Sequence, residues 1–478
     1  MALTTVVGCA KASTTPLPQT PDNKVSDEAA LASDGAASSA HEHGDGKASS
    51  TWIGAAPEGD LLASGTRETF LGVWVDIPQA KPVNRPPMEV ALVVDVSGSM
   101  AGSKIENARN AATQLVNGLR DGDIVALDAF SDHARTIVPP TRLDRSTRSE
   151  ILSQISQLRP EGSTNIFEGL SLAEGQMQAA PQTHQLRRIV MISDGQANVG
   201  PSSPEILGSV AERGLRFHSQ VTSFGIGIDY DERTLDALSV RSSGRLFHIE
   251  NPEQTAKILK EEMNLLDGTV ASDAFVEIVP APGIAVEGAD GVRTEWRNDG
   301  ERPTLRIPLG ALFAGQHREA LVRVRITDPS VFEGHSRSVA SVRLRFKDAT
   351  EGDLERVQEV VARTALSNDA TAVASAKSER ANAIAAVMSA SKAQLDAAQS
   401  VNSGNFVDAD KELAKAQIAL ASQAQASKDD AQKKRLQAAA DKVAVSRAAT
   451  AGAAAAPAPA KRARALEINA DAMHSAGF

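Results

Sequence analysis

Between residues 88 and 268, short apolar runs alternate with longer segments of helical periodicity. The apolar runs have the length of strands and are almost uninterrupted by polar residues: VALVVDV (90–96), DIVALDAF (123–130), RIVMISD (188–194) and FHSQVTSFGIG (217–227). Such runs predict strands that are buried on both faces, and the helical segments between them predict a parallel sheet covered by helices on both sides. This part of the chain therefore predicts a doubly wound α/β domain with a mostly parallel sheet.

The segments on either side of this domain follow a different pattern. TRETFLGVWVDIP (66–78) predicts a strand, and after residue 268 the runs FVEI, LVRVRI and VRLRF alternate apolar and polar residues. Alternation of this kind is typical of strands that have one face in water. We therefore expect a small antiparallel β-sandwich over 269–350. The β-segment and linker at 51–87 can belong to the same sandwich, in which case the α/β domain is an insertion between its strands.

The composition changes again in the C-terminal part of the chain. Residues 351–450 are rich in Ala, Lys, Gln and Glu, which are strong helix formers. The segment DADKELAKAQIAL places four small or apolar side chains on one face at helical spacing: Ala409, Leu413, Ala416 and Leu420. The pattern predicts a helical hairpin or bundle over 351–450, followed by a linker and a terminal helix over 451–478.

Charge and composition narrow the possible partners. The chain has 478 residues and a formal charge of −10, and no basic patch stands out, so a nucleic-acid partner is not expected. We find no apolar stretch that approaches the roughly 20 residues needed to span a bilayer. Residues 1–50 contain few large apolar side chains, and this composition predicts a disordered tether.

Cys9 is the only cysteine of the chain, so no intramolecular disulfide is possible. The segment VVGCA around it resembles the lipobox of bacterial lipoproteins, in which the cysteine carries a lipid. A secretory signal needs an apolar stretch of roughly 7–15 residues, and the segment before Cys9 is too short to supply it. Either an upstream start provides the signal, which predicts a lipid-anchored protein of the bacterial cell envelope, or the cysteine is incidental and the protein is cytoplasmic.

Polar residues stand at the carboxyl ends of two predicted strands. Asp95 ends the first strand and opens the segment Asp-Val-Ser-Gly-Ser, in which Asp95, Ser97 and Ser99 occupy alternate positions and project the same way. Asp194 ends RIVMISD, and Thr164 precedes a predicted helix. In a doubly wound sheet, ligands bind beyond the carboxyl ends of the strands where the strand order reverses. We therefore expect a binding site at this edge.

Carboxylate and hydroxyl oxygens without nitrogen or sulfur suit a hard divalent cation. Mg²⁺ is commonly held by one or two carboxylates and keeps several waters. The candidate ligands are Asp95, Ser97, Ser99, Thr164 and Asp194. They leave one coordination position open, which the carboxylate of a partner would complete. Asp128 and Asp132, at another strand end, are interpreted as solvated loop carboxylates, with the outer shell of the cation as the alternative.

This set of residues resembles the metal-ion-dependent adhesion site of von Willebrand factor A domains. The segment DVSGS (95–99), Thr164 in GSTN and Asp194 in SDG match the five positions of that pattern in order. The resemblance implies Mg²⁺ or Mn²⁺ bound by the serines and the threonine, with the aspartates often acting through water. It also implies a protein partner that supplies an exposed Asp or Glu. The arrangement of this chain, with an A domain between β-segments, is similar to that of bacterial A-domain lipoproteins and, more loosely, to that of inter-alpha-trypsin inhibitor heavy chains.

These features favour a non-catalytic adhesion or scaffold module over an enzyme. Phosphatases of the haloacid-dehalogenase type need a second aspartate two residues after the first, where this chain has Ser97. The chain also lacks the Gly-x-Ser-x-Gly elbow of α/β-hydrolases and a phosphate-binding loop after a strand. The alternatives are a structural protein that assembles through its helical tail and a metal-dependent hydrolase.

Overall fold

The computed structural model describes residues 51–79, 85–227, 230–249, 252–290, 292–298, 302–349, 351–352 and 354–454, with a few positions beyond. The predicted tether over 1–50, with Cys9, lies outside the described residues, as does most of the predicted terminal segment after 454.

The chain forms its elements in three blocks. The first consists of β1 (Ile53–Pro57), β2 (Leu61–Ala63) and β3 (Glu68–Asp76). The second is the α/β domain: β4 (Met88–Asp95), α1 (Ser103–Gly118), β5 (Ile124–Phe130), β6 (Ala134–Arg142), α2 (Arg145–Gln157), α3 (Ile166–Ala179), β7 (Leu186–Ser193), α4 (Pro204–Gly214), β8 (Ser219–Ile226), α5 (Glu232–Arg241), β9 (Arg245–Ile249) and α6 (Pro252–Asp267). The third contains β10 (Thr269–Pro280), β11 (Ile284–Asp290), β12 (Glu295–Arg297), β13 (Thr304–Phe313), β14 (His317–Ile326), β15 (Arg337–Asp348), β16 (Leu354–Ser367), α7 (Ala370–Ser375), α8 (Glu379–Asn402), α9 (Phe406–Ala426) and α10 (Asp430–Ala454).

The sheet of the α/β domain has the order β6-β5-β4-β7-β8-β9, and all its pairs are parallel except β5 with β6. Alternate residues of β4 enter two different cores. Val90 and Leu92 pack with residues of α1, α2 and α6, whereas Ala91 and Val93 pack with residues of α3, α4 and α5. The predicted fold class is therefore confirmed, and the strand order reverses between β4 and β7.

Two sheets of the sandwich enclose a second core. The smaller has the order β1-β3-β14-β11, and the larger has the order β12-β13-β10-β15-β16-β2. Apolar side chains alternate along the strands and meet between the sheets, for example Val276 and Ile278 of β10 with Val322 and Val324 of β14. Because β3 pairs with β14 over its whole length, the strands before and after the α/β domain share one sheet. The α/β domain is thus inserted into the sandwich.

Arg85 joins the two chain crossings between the sandwich and the α/β domain. Its guanidinium is almost completely buried and donates to both carboxylate oxygens of Asp123, at 2.9 and 2.5 Å. It also donates to Asp267 at the end of α6, at 2.9 Å. Asp123 in turn accepts from the backbone N–H of Met88, the first residue of β4 (3.1 Å). One ion cluster therefore connects the entry of the inserted domain with its exit.

Helices α8, α9 and α10 pack around an alanine-rich core. The predicted face of α9 is turned inward, with Ala409, Leu413 and Leu420 buried. Helix α8 also lies against β3 of the sandwich, where a Cβ added to Gly72 would approach the Cα of Ala381 to 2.8 Å. This close approach explains the glycine in a strand. No helix in the described part of the chain combines the length and the apolarity that a membrane span requires.

Two strands differ from the sequence-based expectation. The helical region predicted from residue 351 is wrong at its start, because β16 pairs with β15 along almost its whole length. The helix propensity of its Glu, Gln and Ala residues is a weak preference, and pairing of the Val-rich segment overrides it. The pattern also gives no strand at β6, which contains Pro139 and Pro140; β6 lies at the edge of its sheet, where proline is tolerated.

Candidate metal centre

Asp95 and Asp194 lie at neighbouring strand ends where the strand order reverses. Asp95 is the last residue of β4, and Asp194 directly follows β7, which pairs in parallel with β4. Neither residue has any solvent-exposed surface. Buried carboxylates require hydrogen bonds or a counter-ion, so the surroundings of these two residues decide what the edge can bind.

The two predicted serines follow Asp95 in a tight turn. The backbone N–H of Ser97 donates to Oδ1 of Asp95 (2.8 Å), and the chain then forms a 3₁₀ turn over Gly98–Met100. The hydroxyl oxygens of Ser97 and Ser99 are 3.0 Å apart. Ser97 is buried and Ser99 is exposed, so this group of oxygens reaches from the interior of the domain to its surface.

Thr164 reaches the same edge from the loop before α3. The N–H of Gly98 donates to the carbonyl of Gly162 (3.0 Å), which joins this loop to the serine turn. The N–H of Thr164 donates to Oδ1 of Asn198 (2.8 Å), and the N–H of Asn198 donates back to the carbonyl of Thr164 (3.0 Å). The loops that carry the five predicted residues are thus connected to one another.

Lys104 is the charged partner of Asp194. Its Nζ donates to Oδ2 of Asp194 at 2.8 Å from the first turn of α1. After Asp194 the chain turns at Gly195, whose φ of +67° lies in the left-handed region. A Cβ at Gly195 would also lie 2.8 Å from the carbonyl oxygen of Asp231. A glycine is therefore required at this position on two grounds.

Ser193 holds the carboxylate of Asp95 in place. Its Oγ donates to Oδ2 of Asp95 (2.5 Å) and accepts from the N–H of Gly195 (2.8 Å). Burial raises the pKa of Asp95 to about 6; the hydrogen bonds from Ser193 and Ser97 oppose this rise, and the charge of Asp194 adds to it. The edge therefore holds two mutually repelling carboxylates, and the ammonium group of Lys104 is paired with that of Asp194.

The donor set fits a divalent cation in charge and in chemistry. It consists of two carboxylates and three hydroxyls, the hard oxygen ligands that Mg²⁺ prefers. Across the part of the chain that the structure describes, no group of three or more His, Cys, Asp and Glu side chains is placed to hold a metal ion. A cation at this edge would therefore depend on the hydroxyls of Ser97, Ser99 and Thr164.

The two aspartates near the end of β5 differ in their surroundings. Asp128 is fully buried and accepts hydrogen bonds from Thr136 (2.8 Å) and Gln176 (2.9 Å), so its interpretation as a solvated carboxylate is wrong. Burial raises the pKa of Asp128 to about 6, and the two hydrogen bonds oppose that rise. Asp132 is exposed, as expected, and accepts from the N–H of Ser163 (3.1 Å), next to Thr164.

Sequence reasoning did not identify Ser193, Lys104 and Asn198. Each supports a predicted ligand through a hydrogen bond, namely Ser193 for Asp95, Lys104 for Asp194 and Asn198 for Thr164. Ser193 and Lys104 stand in the same short segments as the predicted ligands, and this proximity is the only signal that points to them.

Residues 90–196 match the family of the von Willebrand factor type A domain. The protein contains a von Willebrand factor type A domain. The matched segment begins in β4 and ends just after β7, so it includes all five predicted metal ligands and the two strands between which the order reverses. The remainder of the A domain, from α4 to α6, completes the same sheet and its helical cover.

Curated relatives share this region of the chain. The uncharacterized protein sll0103 of Synechocystis sp. is 27% identical over 270 residues, which cover 52% of this chain and 63% of the relative. Human inter-alpha-trypsin inhibitor heavy chain H3 is 27% identical over 176 residues, or 35% of this chain and 19% of the relative. The chain thus spans less than two thirds of the length of these relatives.

A solved structure extends the similarity beyond the A domain. The von Willebrand factor type A protein from Catenulispora acidiphila has a TM-score of 0.65 and covers 80% of this chain and 89% of its own. The two sequences are 18% identical, so the likeness is one of fold. Because the likeness covers 80% of this chain, the shared fold extends beyond the matched A domain.

Proposed function

We propose that the A domain is a cation-dependent protein-binding module that captures an Asp or Glu side chain of a partner protein through Mg²⁺ or Mn²⁺. The proposed ligands are Asp95, Ser97, Ser99, Thr164 and Asp194. The observation that supports this proposal is the pair of fully buried carboxylates between which the strand order reverses, with Lys104 as the charged partner of one of them. Two buried negative charges favour a doubly charged cation.

The residues around the site hold the oxygen ligands in position. Ser193 and the N–H of Ser97 fix both oxygens of Asp95, and Asn198 fixes the loop of Thr164. Ser99 is exposed, so an incoming side chain can reach the site from that side. When bound, the cation would supply the positive charge that attracts the carboxylate of the partner. We propose binding without catalysis, since the polar contacts described at this edge serve to position oxygen atoms.

The proposal is tested first with the cation alone. We expect Mn²⁺ to bind to one site in calorimetric titration of the full chain, and we expect Asp194→Ala to abolish that binding. Asp121→Asn serves as the control, because Asp121 is exposed at the opposite edge of the same sheet. A wild-type chain that binds no divalent cation would contradict the proposal.

Partner capture is the second test. Bound protein recovered from the native cell should be released by a chelator and should be absent with Asp194→Ala. Capture that survives both treatments contradicts the cation-dependent mechanism. Self-association through the helices that persists in chelator would instead support the alternative of a structural assembly protein.

We also propose that the module is tethered at the bacterial cell envelope through a lipid on Cys9. The lipobox-like segment VVGCA and the small, polar composition of residues 10–50 support this proposal. A labelled fatty acid should be incorporated into the chain expressed in its native cell, and Cys9→Ser should remove the label. A wild-type chain that stays unlabelled contradicts the anchor and leaves the cation site untouched.

A further inference from the structure

A cavity of about 840 Å³ lies between the A domain and the sandwich, at the edge of the sheet opposite the candidate metal centre. The A domain contributes residues at the start of its strands, such as Met88 of β4 and Leu186 of β7. The sandwich contributes residues of β10 and β13, such as Ala274 and Pro308. A volume of this size is typical of sites for small molecules.

The wall of this cavity carries more positive than negative charge. Seven arginines and three carboxylates line it. Each of the carboxylates already has a basic partner: Glu212 and Glu295 accept from Arg293 at 3.0 and 2.5 Å, and Asp273 pairs with Lys347 (2.7 Å) and with His218. Arg306 also donates to Glu277, which does not line the cavity (3.2 Å), so the wall itself keeps an excess of positive charge.

Buried hydrogen-bond donors of the wall lack acceptors. Among the described residues, Nε of Arg188, Nη1 of Arg293, Nε of Arg306 and Oγ of Ser272 are buried and have no hydrogen-bond partner. Arg188 and Ser272 are each only 6% exposed. Guanidinium nitrogens can only donate, and a buried donor without an acceptor destabilises the fold. These atoms come from both domains and surround the same space, so a single acceptor-rich ligand can satisfy them.

Further arginines near Arg188 add positive charge behind the wall of the cavity. Arg188 and Arg318 both interact electrostatically with Arg245 and with the carboxylate of Glu262, which is 3.6 Å from Arg245. Arg318 and Glu262 are both buried. Burial lowers the pKa of Arg318 to about 9 and also lowers that of Arg188, and repulsion from Arg245 acts in the same direction on both. A buried arginine remains charged and is stabilised by an anion.

We propose that this cavity binds a small organic polyanion, a molecule with phosphate or carboxylate groups that accept hydrogen bonds from Arg188, Ser272 and Arg306. Because these residues belong to β7, β10 and β13, the ligand contacts the A domain and the sandwich at once. The site is independent of the cation centre, which lies at the other end of the same strands.

Two probes separate the possible ligand chemistries. The thermal midpoint of the full chain is measured with pyrophosphate or with citrate, at an ionic strength held constant with NaCl. The buffer is first freed of divalent cations with a resin, because both probes chelate them. We expect at least one probe to raise the midpoint, and the rise should grow with the logarithm of its concentration. A response to pyrophosphate alone assigns a phosphate ligand, and a response to citrate alone assigns a carboxylate ligand.

Three variants test the residues. Arg188→Met removes the buried charge but keeps most of the volume, and it should fold and lose the response to the probe. Ser272→Ala removes one donor and should weaken binding about tenfold. Arg325→Gln is the matched control, because Arg325 is a half-exposed arginine of the sandwich paired with Glu287, and it should respond like the wild type.

The proposal is overturned if neither probe moves the wild-type midpoint more than NaCl does. It is equally overturned if Arg188→Met and Arg325→Gln respond alike. Should Arg188→Met fail to fold, Ser272→Ala decides: an unchanged affinity overturns the proposal, and a weakened one supports it.

Discussion

The two ends of the A-domain sheet carry opposite imbalances of buried charge. At the carboxyl end, Asp95 and Asp194 are buried with Lys104 as the paired cation. At the opposite end, Arg188 is buried, and its Nε has no hydrogen-bond partner among the described residues. A buried charge of this kind is stabilised by a ligand of the opposite sign. The proposed cation site and the proposed anion site therefore lie at opposite ends of the same strands.

The largest effect on Mn²⁺ binding is expected from a substitution at Asp95, and a substitution at Arg188 tests whether the two ends act separately. Asp95→Asn removes one of the two negative charges and should weaken Mn²⁺ binding by more than about 100-fold. Loss of a residue that only supports a metal ligand already lowers metal affinity roughly 10–100-fold. Arg188→Met should leave Mn²⁺ affinity within about twofold of the wild type, because it acts at the other end of the sheet. Calorimetric titration measures both. An equal loss in the two variants would show that the ends are energetically coupled.

The charge balance of the arginine end also depends on Glu89. This residue of β4 is buried beside Arg187 of β7, and burial raises its pKa from 4.5 to about 7 against the attraction of Arg187. Arg187 donates instead to backbone carbonyls, among them those of Met177 and Phe217. Below about pH 7, a neutral Glu89 leaves the positive charge of this end undiminished.

Because the pKa of Glu89 is higher in the folded state, its contribution to stability is complete below about pH 4.5 and is lost as the pH rises through 7. Glu89→Gln should remove this dependence. The difference in the free energy of unfolding between wild type and variant should change by up to about 3 kcal/mol from pH 4.5 to 7.5. Urea denaturation across this range measures it. A constant difference would mean that Glu89 is ionised and offsets the arginines.

A smaller effect is expected at Lys104. The ammonium group occupies one oxygen of Asp194 and repels an incoming cation, so Lys104→Met should increase Mn²⁺ affinity about tenfold. Lys104→Arg keeps the charge and should bind Mn²⁺ like the wild type. Calorimetric titration of both variants with Mn²⁺ under the same conditions measures the difference in affinity. Weaker binding by Lys104→Met would indicate that Lys104 orients Asp194 for the cation rather than competing with it.

The smallest effect is expected at Asp132, which holds the loop of Thr164 through one exposed hydrogen bond to the N–H of Ser163. Asp132→Ala should weaken Mn²⁺ binding about two- to fivefold, the usual value of a single hydrogen bond. Asp132→Asn retains an acceptor and should be closer to the wild type. If Asp132→Ala is as damaging as Asp95→Asn, then Asp132 belongs to the site itself.

The carboxyl end could be predicted from the sequence because its chemistry is local. Strands buried on both faces are continuous apolar runs, so Asp95 at the end of β4 and Asp194 just after β7 are visible in the sequence as the first carboxylates after such runs. The two serines follow within the same segment. By contrast, β6 contains two prolines, and β16 has the composition of a helix and becomes a strand only through its pairing with β15.

The contacts that support the site, and the whole of the arginine end, have no local signature. Ser193 donates to Asp95 across 98 positions of the chain, because β4 and β7 are neighbours in the sheet. The cavity gathers Arg188, Ser272 and Arg306 from two domains. Arginines that are far apart in a sequence look like ordinary surface charges, and only the packing of the sandwich against the A domain buries them.

The insertion of the A domain into the sandwich has a mechanical consequence. Both chain crossings leave from one end of the domain, and Arg85 in the first donates to Asp267 at the start of the second. A pull on the opposite, carboxyl edge is therefore divided between two covalent connections that share the load in parallel. In a linear string of modules, each module is connected by one chain crossing on each side, and tension pulls it along the string. The inserted A domain instead passes tension to the sandwich through both of its crossings together.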